Sequence, residues 1–298
     1  MLALVVATPI LVYALVLAEA HLEMQRLEPE IPSREVLLGL LDVKDGPVRL
    51  SYVDTATQSP IGHPAYLFEW ADGRILSVDV GMEPEGAAAF GATMEALLGA
   101  DPIAIHGSLS KQMGEHSRAI SAVAFTHLHL DHTGGLPGLC EGRTDRISVF
   151  QTPRQSERGN FRTRPGRNDL DRTQCADFRA LERAVSGTPF TIPGYAGVVA
   201  IQVSGHTPGS TVFAANVAGK RWLIGGDVTN SMDDLRADAP KPFVYSAFIV
   251  PEARGHLAAL RYWLAALDHD PDFEVLVSHD HDEFTARVAA WRPADPPR

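Results

Sequence analysis

The stretch THLHLDH at residues 126–132 places three histidines and an aspartate within six positions, directly after the apolar run AVAF. Neutral imidazole is a ready ligand for zinc, and a carboxylate adds a charged oxygen donor. His127 and His129 are two apart, so in an extended segment their side chains point the same way. Asp131 continues that alternation, while His132 adjoins it and points elsewhere. The stretch therefore offers ligands on two sides, one set for each of two ions. A single zinc could not take all four groups plus further ligands and still leave a position open for water.

Three more pieces follow downstream. GHTPG at 205–209 sets His206 between glycines, GGD at 225–227 ends on Asp227, and SHDH at 278–281 carries His279 and His281. Each sits just past the end of an expected strand, where loops on a rigid scaffold carry chemistry. One histidine after a strand is usually an ordinary polar residue that has found a partner. Four such placements in one chain point to a metal centre. His281 is read as an exposed histidine rather than a ligand.

The elements that must hold these groups alternate quickly. Strands are expected at 49–56, 64–70 and 74–81, the last two joined by the turn Ala71-Asp72-Gly73. An alanine-rich helix is expected at 85–99. Further strands are expected at 119–125, 146–152 and 197–205. A second hairpin turns at Ala218-Gly219. Leucines 257, 260, 264 and 267 fall at helical spacing within 251–268. A buried strand at 274–279 and a helix at about 282–291 complete the order. Residues 153–174 read as a polar loop or lid. This succession predicts two sheets packed face to face with helices outside, not a doubly wound parallel sheet.

The ordered set HxHxDH, GHTPG, GGD and SHD resembles the metallo-β-lactamase superfamily of hydrolases, over roughly residues 46–292. The resemblance implies an α+β fold, a four-layer αββα sandwich with two metal ions at one edge of the sheets. Carried over, His127, His129 and His206 would hold the first ion. Asp131, His132 and His279 would hold the second, and Asp227 would bridge them. Asp79, in SVDVG, would orient a histidine through a hydrogen bond. The implied cofactors are two divalent ions, zinc above others. The implied chemistry is hydrolysis by a metal-bridging hydroxide that Asp131 and Asp227 orient.

Within the superfamily, several branches fit poorly. Dinuclear class B β-lactamases usually carry Cys where this chain has Asp227, and redox diiron members carry Glu where it has His129. Only a short tail follows His279, against the helical domain of glyoxalase II proper. GHTPGS and SHDHDEF look like the N-acyl-homoserine lactonases. Those enzymes usually carry Tyr three residues after the bridging Asp, where this chain has Asn230, a shorter donor and the candidate substrate contact. The expected substrate is a small ester, lactone or related carbonyl compound. The alternatives are a glyoxalase II-like thioesterase, a mononuclear-iron sulfur dioxygenase and a non-catalytic membrane-tethered metal-binding module.

The 298-residue chain is 45% hydrophobic and 21% charged, enough for a sizeable core. Its net charge of −11 disfavours nucleic acid as a partner. The arginines at 154, 158, 162, 164 and 167 are read as a solvated loop. Residues 1–18 carry no charge and as a helix would span about 27 Å, close to a hydrocarbon core. Ala18-Glu19-Ala20 also fits a signal-peptidase site. The expected organisation is a transmembrane anchor or signal peptide at 1–20, a linker at 21–45 with a short helix at 34–42, and a hydrolase domain at 46–298. That places the chain at a membrane through residues 1–18, or exported, with its catalytic domain extracytoplasmic. Cys140 and Cys175 leave their pairing open.

Overall fold

The computed structural model describes residues 2–158, 170, 173–183 and 185–293. Strands β1 (Arg49–Gln58), β2 (Ile61–Glu69) and β3 (Ile75–Val78) form an antiparallel meander. The β2–β3 turn uses Gly73 at φ 85°, a conformation glycine adopts without steric cost. From β3 the sheet continues in parallel through β5 (Ile120–Ala124), β6 (Ile147–Gln151) and β7 (Ala176–Ala180). Short strands β4 (Ala104–Ile105) and β13 (Ala289–Ala290) pair with β1. A second sheet runs in the order β12 (Phe273–Leu276), β11 (Lys220–Ile224), β10 (Thr211–Val217), β9 (Val198–Gln202), β8 (Phe190–Thr191).

Alternation along the strands sorts side chains between layers. In β2, Tyr66 and Phe68 enter the core between the sheets, where Phe213, Ile224 and Leu276 meet them. Their neighbours Ala65 and Leu67 face outward, under Leu109, Met113, Leu136 and Leu139. Those four residues belong to short helices introduced below. Both faces of β2 are therefore buried.

The helices are α1 (Leu2–Arg26), α2 (Arg34–Leu41), α3 (Pro84–Leu98), α4 (Leu109–Met113), α5 (Leu130–Thr133) and α6 (Leu136–Cys140). After them come α7 (Pro153–Arg158), α8 (Met232–Arg236), α9 (Arg254–Asp268) and α10 (His281–Arg287). On the outer face of the second sheet, α9 lays Leu257, Leu260, Leu264 and Leu267 against Val199, Leu223 and Val275. Each buried leucine contributes about 1.5–3 kcal/mol. Leu37 and Leu41 of α2 join the same layer. Helices outside two facing sheets make the expected αββα sandwich.

Two local expectations change. The last helix stops at Arg287, and Ala289–Ala290 pair with Ser51 and Tyr52 instead. The open edge of β1 offers hydrogen bonds that helix propensity does not outweigh. Most of the polar 153–174 stretch, with Arg162, Arg164 and Arg167, lies outside the described residues. Its first turns form α7.

The membrane expectation is overturned. Among the described residues, no helix is long and apolar enough to cross a membrane. The later part of α1 carries Glu19, His21, Glu23 and Arg26. It also packs on the body of the protein, burying Ala20 and Met24, with His21 Nε2 bonded to the Ala247 carbonyl at 3.1 Å. The Tyr13 hydroxyl donates to the Phe248 carbonyl. A helix half committed to charged residues and protein contacts is not a span. The anchor through residues 1–18, and the membrane-linked, extracytoplasmic placement built on that run, do not hold. Cys140 and Cys175 are joined in a disulfide, with Cα atoms 5.4 Å apart.

Candidate metal centre

The metal-capable residues gather where strands end. Asp79 follows β3, the histidine stretch follows β5, His206 follows β9, Asp227 follows β11 and His279 follows β12. Asp79 adopts φ 61°, a region that aspartate tolerates better than most residues. Its turn is pinned by the Asp79 N–H to the Ala124 carbonyl at 2.9 Å. Two glycines allow close approach, Gly135 after the histidine stretch and Gly226 directly before Asp227. A Cβ on Gly135 would stand 2.3 Å from the Val80 carbonyl oxygen. A Cβ on Gly226, at φ 64°, would crowd Thr126 at 3.0 Å.

The seven expected ligands come together. His129 Nδ1 lies 3.2 Å from His206 Nε2. Asp227 Oδ2 stands 3.4 Å from His206 Nε2, 3.9 Å from His127 Nε2 and 3.1 Å from His279 Nε2. Its Oδ1 stands 3.4 Å from His132 Nε2. Asp131 Oδ2 is 3.6 Å from His132 Nε2 and 3.5 Å from His279 Nε2. His129 alone is half-buried, so the centre opens to solvent beside it.

The donors fit divalent metal. His127 Nε2, His132 Nε2 and Asp227 Oδ1 are buried without a hydrogen-bond partner among the described residues. Buried polar atoms normally have one. Ligands about 2.0–2.1 Å from a tetrahedral ion lie about 3.3–3.4 Å from one another, close to most of the separations above. Three groups of ligand atoms lie within 4.8 Å of one another: His127, His129 and His206; His127, His132 and Asp227; and His63, Asp131 and His279.

Neighbours hold the rings in register. Asp79 Oδ2 accepts from His132 Nδ1 at 2.8 Å and from Thr126 Oγ1 at 2.8 Å, while its Oδ1 accepts the Thr126 N–H. His279 Nδ1 is 2.8 Å from the Gly62 carbonyl. His206 Nδ1 is 2.7 Å from Glu252 Oε1. In each case the outer nitrogen donates, which leaves Nε2 with its lone pair towards the centre.

The electrostatics follow from this packing. Burial would raise the Asp131 carboxyl, but His132, His63 and His279 pull it down instead. Burial would also raise Asp227, which His279, His127 and His132 hold well below the ordinary carboxylate range. Burial pushes His127 down, with His132 adding to the effect, and takes His129 to about 3. For His132, burial acts downward but Asp79, Asp131 and Asp227 prevail and raise it well above the ordinary value.

Sequence reasoning missed three residues. His63 in β2 is buried against Asp131. Lys241 and Glu252 form a buried pair at 3.1 Å, and Lys241 also donates to the Asp227 carbonyl at 2.9 Å. Two opposite charges flanking the otherwise apolar PFVYSAFIVP were the available signal. Asn230 is half-buried three residues past Asp227 and makes no hydrogen bond among the described residues.

The sequence matches the Metallo-beta-lactamase superfamily over residues 59–279. No curated protein matches it. Among solved structures, one similar chain is an N-acyl homoserine lactone hydrolase with the product N-hexanoyl-L-homoserine at its catalytic metal centre. Its TM-score is 0.57 at 13% identity, over 83% of this chain and 98% of that one. A B. thuringiensis protein, crystallised as a mutant with N-decanoyl-L-homoserine in its active site, gives 0.53 at 14%, over 82% and 95%. A probable metal-dependent hydrolase from Staphylococcus aureus gives 0.51 at 14%, over 80% and 91%. At such identities the likeness is one of fold. The family match spans the histidine stretch, His206, Asp227 and His279 together, and the chain belongs to the metallo-beta-lactamase superfamily as a metal-dependent hydrolase.

Proposed function

We propose that the chain is a dinuclear hydrolase of esters or lactones, with acyl-homoserine lactones the first substrates to test. The carrying observation is the place of Asp227. Its carboxylate lies 3.4 Å from His206 Nε2 on one side and 3.1 Å from His279 Nε2 on the other. One carboxylate reaching both donor sets suits a shared ligand. His127, His129 and His206 would hold one ion, and Asp131, His132 and His279 the other, most simply zinc. When bound, such a pair supplies a water acidic enough to attack near neutral pH and an electrophile for the substrate carbonyl.

The chain's own groups do the rest. Asp131 and Asp227, kept ionised by the surrounding imidazoles, would orient the attacking water by accepting hydrogen bonds from it. Asp79, Glu252 and the Gly62 carbonyl fix the histidine tautomers. Asn230 would donate a hydrogen bond to the substrate carbonyl. Phe243 and Phe248 stand exposed with rings 6.3 Å apart. They lie on the segment that carries Lys241 and Glu252, and they offer an apolar wall to an acyl chain. The structural neighbours with homoserine products bound support this choice of substrate class.

The test is proton release from an acyl-homoserine lactone series, with metal content measured in parallel and His127→Ala as control. Turnover that needs His127 with two ions bound supports the reading. Two ions without lactone turnover would remove the lactone and move the search to thioesters and phosphoesters. Full activity in His127→Ala would refute the metal mechanism.

A further inference from the structure

His63 is the buried imidazole for which the ligand set above has no use. It is 1% exposed, and neither ring nitrogen makes a hydrogen bond among the described residues. Its backbone is held firmly. The His63 N–H donates to Asp54 Oδ1 at 2.9 Å, and Thr55 Oγ1 donates to the His63 carbonyl at 3.0 Å.

The strand around it is irregular in a telling way. Asp54 pairs with Pro64 and Thr57 pairs with Gly62. Two residues of β1, Thr55 and Ala56, therefore stand against the single His63. That is a β-bulge, a device that re-aims a side chain and recurs beside active sites. Here it accompanies an imidazole turned into the metal centre. The ring lies edge-on between Phe90 and His279, with centroids 5.2 Å away in both cases. Its plane is set by those rings, not by a hydrogen bond.

We propose that His63 is an additional ligand of the ion held by Asp131 and His279, binding through Nδ1. His63 Nδ1 lies 3.5 Å from Asp131 Oδ2, and the same oxygen lies 3.5 Å from His279 Nε2. A separation of that size is too long for a good N–H···O bond, which spans about 2.7–3.2 Å. It is close to the edge between two ligands of one ion, about 3.3–3.4 Å. The geometry thus favours shared coordination over a prop for Asp131. The extra donor makes the second site richer in protein ligands than the first, so its ion is the harder one to remove. The inference rests on the two-ion reading above.

The experiment uses the full chain, stripped of metal and titrated with cobalt(II) against a competing chelator. Wild type, His63→Ala and His63→Phe are compared; the phenylalanine fills the space between Phe90 and His279 without a donor. Circular dichroism of the metal-free proteins checks the fold. In both variants the ion at the Asp131–His279 site, the tighter one in wild type, should bind about tenfold or more weakly, with the other ion unchanged. The visible absorption of cobalt at the Asp131–His279 site should intensify as its coordination number falls. Two ions bound by the wild type with unchanged affinity and spectrum in the variants would overturn the His63 assignment alone. Weaker binding with an unchanged spectrum would also overturn it, because His63 would then act only through Asp131. A wild type that takes up a single ion would overturn the two-ion reading and this inference together.

Discussion

Replacing Lys241 by Met tests how the centre is braced. Its ammonium is 3% exposed and lies 3.1 Å from Glu252, whose side chain is wholly buried. Burial alone would raise the Glu252 carboxyl, but Lys241, then His206 and Ser246, bring it to about 2 from an ordinary 4.5. That difference corresponds to about 3 kcal/mol in favour of the charged form. Removing one partner of a buried pair independently costs about 3–5 kcal/mol. Ser246 Oγ, at 2.6 Å, and His206 Nδ1 remain to the carboxylate, so Lys241→Met should cost about 3 kcal/mol. The assay is urea unfolding of metal-free protein at pH 7. The sign with pH is fixed by the depressed carboxyl. Its contribution is fully present above pH 4.5 and is lost as pH falls towards 2, so the gap between variant and wild type narrows in acid. Lys241→Met with Glu252→Gln removes both charges and should recover part of the loss. A cost below about 1 kcal/mol for Lys241→Met would refute the brace, since a buried carboxylate left without its cation cannot be so cheap.

Other perturbations test other links. Asp79→Asn keeps a residue that tolerates the left-handed turn but removes the charge on His132, and should weaken metal affinity about 10–100-fold by chelator competition. Affinity within twofold of wild type would count against the role of Asp79. Replacing Cys140 and Cys175 by Ser opens a loop with a sequence separation of 35, and should lower unfolding free energy by about 4 kcal/mol in denaturant titrations. An unchanged midpoint would show that the bridge does not constrain the unfolded chain. Leu260→Ala on α9, at a fully buried position, should cost about 2–5 kcal/mol without altering metal stoichiometry. Loss of metal in that variant would mean that the helix layer and the centre are not separable.

Much of this protein was legible along the chain because its signals are local. HxHxDH needs only its own spacing to announce two ligand faces, and strands followed by GH, GGD and SHD announce where the remaining donors stand. Leucines at helical spacing in α9 define the layer outside the second sheet, since that pattern follows from the geometry of one element. Along the chain the last helix reads past its end at Arg287, because pairing with the edge of β1 is invisible at Ala289. The apolar N-terminal run reads as a span when taken alone, but the same helix continues into Glu19, His21, Glu23 and Arg26 and docks there. Ala20, Met24 and His21 find the body of the protein, a contact no hydropathy window contains.

The sequence by itself determined two facing sheets with helices outside and the identity of the clustered imidazoles and carboxylates, because backbone periodicity and side-chain chemistry are properties of neighbours, and the resemblance of its ordered motifs pointed to the family. Only the tertiary structure decided which donors face one another and what braces them. His63 reaches Asp131 from a bulged strand 68 positions earlier, and Glu252 reaches His206 across 46. Distances of that kind exist only after two sheets have packed, when residues far apart in the chain are brought within a few ångströms and the cost of burying their charge is shared.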